Sequence, residues 1–215
     1  MRLLILALSV ALITRLAEAA QTQVHTQQRR LGPRYNELGL TVNGTFSSTP
    51  DALRSRYKSF DPDEWGMAGI GGAARYRPIP WFALEAGVIA SSTFYTFASR
   101  RRREVSGSAI GIIFLNPRDR VHGYVSLGLI GTSASITSAY GAAHRQGQYV
   151  GAASAVGVEF RLDRHWAIHY GVGLIIRTRV DGPAKAAPEF HNPETGETSN
   201  GSMIESLNAG MTFYF

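Results

Sequence analysis

From Tyr35 onward the chain alternates, with a period of two, between large apolar residues and small or polar ones. Leu38, Leu40, Val42 and Phe46 interleave with Glu37, Gly39, Thr41, Asn43 and Thr45. A period of two is the mark of a strand whose two faces meet different surroundings. The pattern predicts eight strands, at about 35–46, 64–76, 81–95, 105–115, 121–134, 149–162, 165–177 and 202–215. A strand tilted across a bilayer needs about 9–11 residues, whereas soluble strands usually run to about 5–6. In the fifth segment Val125, Leu127 and Leu129 oppose Ser126, Gly128 and Ile130. In the sixth, Val156, Val158 and Phe160 oppose Ala155, Gly157, Glu159 and Arg161. In the seventh, Trp166, Ile168, Tyr170, Val172, Leu174 and Ile176 oppose His169, Gly171, Gly173 and Arg177. A soluble sandwich gives the same alternation with its apolar face inward. The other face discriminates, because Gly, Ala and Ser suit the cramped interior of a small barrel. The apolar face is therefore expected to meet lipid.

The connections alternate in length. Long polar loops fall near 47–63, 96–104, 135–148 and 178–201; tight joins fall at Arg77-Pro78-Ile79-Pro80, at Asn116 to Arg120 and around Asp163-Arg164. Such alternation predicts an up-and-down barrel with short periplasmic turns and longer external loops. Tyr76, Trp81, Phe82, Phe114, Phe160, Trp166, Phe213 and Phe215 gather near the tight turns, where a periplasmic aromatic girdle would sit.

The first residues are read differently. Met1-Arg2, the apolar run Leu3 to Ile13 and Ala17-Glu18-Ala19 form the three parts of a cleavable export signal, with cleavage after Ala19. Residues 20–34, rich in Gln and Arg, read as a disordered periplasmic leader, and 35–215 as the barrel. The absence of cysteine excludes disulfides, thiol catalysis and cysteine-ligated metals. The formal charge is +6; cleavage removes Arg2, Arg15 and Glu18 and leaves +5, compatible with anionic headgroups.

The last strand carries a family likeness. Leu207, Ala209, Met211, Phe213 and Phe215 alternate with Ser206, Asn208, Gly210, Thr212 and Tyr214. A terminal aromatic behind alternating apolar positions resembles the C-terminal assembly signal of bacterial outer-membrane barrels. With the export signal and eight segments, the chain resembles the small OmpA/OmpX-like barrel group across nearly its whole mature length. The resemblance implies an all-β, eight-stranded antiparallel up-and-down transmembrane barrel in the cell outer membrane of a Gram-negative bacterium. It implies that Met211, Phe213 and Phe215 are read by the barrel assembly machinery. No peptidoglycan-binding domain follows Phe215, so cell-wall attachment through one is not expected.

Chemistry is sparse. Arg75, Glu85, Glu159, Arg161 and His169 fall on the inward face of the periplasmic half, and Glu159 and His169 flank the 163–165 turn symmetrically. They form either a polar ligand site or an internal salt-bridge network; the second accounts for them more simply. Arg100, Arg101, Arg102 and Arg103, placed in the second external loop, are candidates for contact with lipopolysaccharide phosphates, with Arg54, Arg56 and Lys58 adding to that basic surface. His144, His191, Glu194, Glu197, Ser199 and Ser202 supply the residue types of a lipid-modifying barrel enzyme, but in no motif of a lipid A deacylase or palmitoyltransferase. The expectation is a non-enzymatic, monomeric barrel with a side-chain-filled interior, no cofactor or metal, and no nucleic-acid partner. Its partners are outer-membrane lipid and lipopolysaccharide, and its external loops serve surface integrity, adhesion or lipopolysaccharide contact. The alternatives are the lipid-modifying enzyme and a soluble secreted carrier of a small apolar ligand.

Overall fold

The alternating segments form eight long strands: β1 (Glu37–Ser47), β2 (Met67–Ile79), β3 (Phe82–Thr93), β4 (Arg100–Phe114), β5 (Val121–Ser138), β6 (His144–Arg161), β7 (Trp166–Arg179) and β8 (Gly201–Tyr214). The computed structural model describes residues 35–48, 51–52, 66–93, 100–138, 144–181, 190–191 and 198–215. The expected export signal (1–19) and leader (20–34) lie outside them, as do Arg54, Arg56, Lys58, Glu194 and Glu197. Each strand pairs antiparallel with its neighbours in chain order, and β1 closes on β8 with Leu40 opposite Phe213. Short pieces add to the external side: Asp51–Ala52 pairs with β8, and Phe190–His191 pairs with Thr198–Ser199. Closure leaves the eight-stranded wall without an open edge. Lipid requires this, because it offers no partner for a free N–H or C=O.

The faces are inverted relative to a soluble protein. Leu127 and Leu129 are 67% and 69% exposed, while Glu159 and Thr212 are 0% exposed. Leu40, Val42, Ile70, Leu84, Val88 and Leu207 continue the apolar exterior. A surface of this kind is stable against hydrocarbon and would aggregate in water. A soluble carrier would present the opposite faces.

Local chemistry sets the turns. Pro78 has no N–H to give, and β2 slips its register against β3 between Tyr76 and Ile79. Asn116 ties the β4–β5 turn, its Oδ1 accepting from Gly123 N and its Nδ2 donating to Val121 O. Asp163 Oδ1 accepts from the backbone N–H groups of His165 and Trp166 at 2.7 and 2.8 Å, closing the β6–β7 turn. At the other end Gly66, with φ 116°, leads into β2, and a Cβ there would lie 2.7 Å from Ser47 O.

The strands reach further outward than the hydrophobic pattern predicts. β4 begins at Arg100 rather than 105, β5 runs to Ser138 rather than 134, and β6 begins at His144 rather than 149. Backbone pairing continues past the lipid because the ladder needs no apolar side chain once both faces meet water. Arg100 to Arg103 therefore belong to β4, paired with Ser138 to Ser135, and not to a loop. Phe114 is also corrected. It faces the interior, 2% exposed, and does not join the girdle.

Candidate functional site

Strand alternation sends the charged residues of the periplasmic half into the lumen, where they meet. Glu159 of β6, at the centre, is fully buried. Arg75 Nη1 donates to Glu159 Oε2 at 2.7 Å, and Arg161 Nε donates to Glu159 Oε1 at 3.1 Å. Arg75 also holds Glu85, with Nε donating to Oε2 at 2.8 Å, while Arg161 Nη2 donates to Glu37 Oε2 at 2.9 Å. Arg77 Nη1 stands 3.9 Å from Glu159, and its Nε donates to Pro80 O, tying the cluster to the β2–β3 turn. The Tyr214 hydroxyl lies within hydrogen-bonding distance of Arg75 and Glu159. Three arginines face three glutamates, so the group is formally neutral, as a water-poor interior demands. Two of the guanidiniums also stack on rings: Arg161 on Tyr214 at 3.6 Å and Arg77 on Phe114 at 4.1 Å.

A second group stands in the external half. Arg177 of β7 donates through Nη1 and Nη2 to both oxygens of Glu104 on β4, at 2.8 and 2.7 Å. Such a bidentate pair fixes orientation as well as charge. Arg102 Nε donates to the same carboxylate at 2.6 Å. Arg177 stacks on Tyr149 at 4.5 Å, and its Nε donates to Ser202 Oγ at 3.3 Å.

Between the two groups the interior is not filled, contrary to expectation. A cavity of about 160 Å³ remains, floored by Arg75 and Glu85 and roofed by Glu104 and Arg177. Its wall on β3 to β5 carries Ile89, Ile110, Ile112 and Ile130, and its wall on β8 and β1 carries Asn208, Asn43 and Thr45. His169 lines it too, and its Nε2 lies 2.8 Å from Asn43 Oδ1.

Of the residues singled out from sequence, Arg75, Glu85, Glu159 and Arg161 share one network. His169 does not join it. It stands opposite Glu159 in the β6–β7 register, yet its ring turns to Asn43. The arginine run divides by strand parity: Arg102 folds inward onto Glu104, while Arg103 is exposed and has no partner among the described residues. The side chains of Arg100 and Arg101 lie outside the described set. Met211, Phe213 and Phe215 lie on the outer face, where Phe213 meets Trp166 edge-on at 4.8 Å. Ser202, placed in an external loop from sequence, is a fully buried β8 residue facing the lumen, and Arg177 is its partner. Neither His144, opposite Thr137 in the β5–β6 ladder, nor His191, opposite Thr198, adjoins it in register. Sequence reasoning passed over Glu37, Arg77, Glu104, His122 and Tyr214. Counting parity onward from Arg75 finds Arg77, and counting back from Ser106 finds Glu104.

No protein-family model and no curated protein matches the chain in sequence. The fold, by contrast, is well represented among solved structures. Neisserial surface protein A aligns with TM-score 0.60 at 14% identity, over 83% of this chain and 97% of that one. Ail, the attachment invasion locus protein of Yersinia pestis, gives 0.53 at 11% identity, over 85% of this chain and 100% of its own. The N-terminal barrel domain of Pseudomonas aeruginosa OprF gives 0.50 at 14% identity, over 84% and 98%. The chain has the architecture of a small OmpA/OmpX-like outer-membrane barrel. In outer-membrane barrels the short turns lie on the periplasmic side and the longer loops outside, and that rule orients the strands. The tight turns and Phe215 of this outer-membrane barrel face the periplasm, and the Glu104–Arg177 pair faces outward. At the external rim Arg179 Nε donates to Asp181 Oδ1 at 2.6 Å and holds that carboxyl below the ordinary aspartate range.

Proposed function

We propose that this outer-membrane barrel is non-catalytic and acts through its external end, where it contacts the phosphorylated lipopolysaccharide of the outer leaflet and so contributes to surface integrity. The observation that carries the reading is Arg103, an exposed guanidinium near the external end of β4, unpartnered among the described residues. Guanidinium groups match phosphate oxygens in charge and geometry. The two lumenal ion clusters fit a barrel braced from within, whose variable chemistry is left to the rim. Ail, which shares the fold, was solved in complex with the heparin analogue sucrose octasulfate, and that polyanion precedent supports a basic rim with the same role here.

The test compares wild-type protein and Arg103→Gln, each inserted in liposomes, for binding of lipopolysaccharide at physiological salt. The expected loss is about threefold, the scale of one exposed charge contact, and it shrinks at high salt. Equal binding by the two proteins overturns the lipopolysaccharide contact. A lipid-processing activity in the purified barrel overturns the non-catalytic reading.

A further inference from the structure

The cavity between the two ion clusters has two unlike walls. On β3 to β5 stand Ile89, Ile110, Ile112 and Ile130, interleaved with Ser91, Ser106, Ser108 and Ser126; on β1 and β8 stand Asn43, Thr45 and Asn208, with Ile204 beside them. The polar wall is under-used. Asn43 spends its Oδ1 on His169, and Asn208 spends its Nδ2 on Ser206 at 3.4 Å, which leaves the other end of each amide without a partner among the described residues. Thr45 and Ser108, which also line the cavity, have no side-chain hydrogen bond among the described residues. His169 is 5% exposed, and its Nδ1 is likewise unpartnered. Of the polar groups lining the cavity, His169 Nδ1 is the one described atom that is both sealed and unpartnered, which buried polar groups rarely are; the others remain open to a polar group placed inside the chamber.

Water alone suits this chamber poorly. A volume of about 160 Å³ has room for several waters. A buried water needs two to four polar neighbours; the β3–β5 wall offers serines, but positions directly against Ile89, Ile110, Ile112 and Ile130 offer fewer. Replacing such loosely held waters by an apolar body is favourable. A cavity of about 150 Å³ admits one benzene-sized molecule.

We infer that the chamber is a binding site for one small neutral amphiphile of about the size of phenol. Its apolar body would lie on the β3–β5 isoleucines, and its hydroxyl or amide would pair with Asn43 and Asn208. A group that both donates and accepts satisfies the free amide ends in either orientation of the Asn43 amide. A cationic ligand is disfavoured, because the floor cluster is neutral and the roof sets two guanidiniums, Arg102 and Arg177, against the single carboxylate of Glu104. The neutral cluster around Glu159 closes the periplasmic side, so the solute arrives from the external side, past Glu104 and Arg177.

The experiment titrates phenol into the whole barrel in lipid nanodiscs and follows the side-chain amide signals of Asn43 and Asn208 by NMR. Saturable shifts are expected, with affinity falling about tenfold in Asn43→Leu, the scale of one buried hydrogen bond left unmade. Benzene should bind more weakly than phenol. Ser108→Phe, which fills the chamber, should abolish saturation; Ile110→Phe repeats the test if that variant does not fold, with gel heat-modifiability reporting folding. Shifts that rise linearly with phenol, or that persist unchanged in the filled variant, mean partition into lipid only and overturn the proposal. Equal affinity of wild type and Asn43→Leu overturns the polar half of the site.

Discussion

Arg75 of β2 reaches across the lumen to Glu159 of β6, Nη1 to Oε2 at 2.7 Å, joining residues 84 positions apart. Both side chains are at least 95% buried. Two charges in a water-poor interior each carry a large desolvation cost, which their attraction offsets only while both are present. Removing one partner leaves the other without compensation. Glu159→Ala should therefore destabilise the folded barrel by about 3–5 kcal/mol, read as the shift in urea midpoint of barrels refolded in liposomes. Glu159→Gln keeps an acceptor for Arg75 and should lose less than Glu159→Ala. Equal losses from the two variants would show that charge, and not hydrogen bonding, dominates the cluster.

Tyr124 makes a different kind of demand. Its ring lies over a floor of two glycines, and its hydroxyl donates to Tyr170 O at 3.3 Å. A Cβ at Gly171 would stand 2.4 Å from the Tyr124 hydroxyl oxygen. Gly171→Ala should cost about 1–3 kcal/mol through overpacking. In Gly171→Ala/Tyr124→Ala the clash is gone, so the two losses should fall well short of adding. Additive losses in equilibrium unfolding would place the strain elsewhere.

These two pairs show which parts of the fold were legible in advance. The lipid-facing half was, because Leu127, Leu129, Val156 and Tyr170 repeat every second residue and hydrocarbon tolerates nothing else. The inward position of Arg75, Glu85, Glu159 and Arg161 followed from the same parity. Their partners were harder to find. Which inward residue meets which across the lumen depends on the stagger of eight strands, and no local pattern encodes that. Arg77 was hidden by its prolines, which made Arg77-Pro78-Ile79-Pro80 read wholly as turn although Arg77 still belongs to β2. Glu104 and Arg102 were hidden by charge, since a run of four arginines before a glutamate reads as a solvated loop. The cavity was invisible for a related reason. Isoleucines of β3 to β5 lie opposite asparagines of β1 and β8 only after the barrel closes.

At the external rim the Arg179–Asp181 pair permits a pH test outside the membrane. The hydrogen bond from Arg179 lowers the carboxyl's proton affinity. A depressed folded-state value means that the pair contributes above the ordinary aspartate value of about 3.9 and loses its contribution as pH falls through the depressed folded-state value. The Asp181 carboxyl carbon should therefore titrate below the ordinary range in NMR. Arg179→Gln should return the midpoint towards that range. An unchanged midpoint would assign the depression to the backbone donors instead.

Gly210 links the wall to the chamber. It sits opposite Asn43 in the β1–β8 register and opposite His169 in the β7–β8 register, and so lies between the two residues that bond across it. A Cβ there would fall 2.2 Å from Asn43 Oδ1 and 2.6 Å from His169 Nε2. Gly210→Ala must displace one or both side chains, breaking their 2.8 Å contact and leaving polar atoms unpaired in the barrel interior. The stability loss should be about 1–3 kcal/mol, the cost of an unsatisfied buried group. Asn43→Ala removes one partner and makes room for the methyl group, so Gly210→Ala should cost much less in that background. The check is a double-mutant cycle on the urea midpoint, with heat-modifiability confirming that every variant inserts. A full loss in both backgrounds would mean that the methyl group strains the backbone near Val42 O, 2.6 Å from the same Cβ, rather than the Asn43–His169 pair.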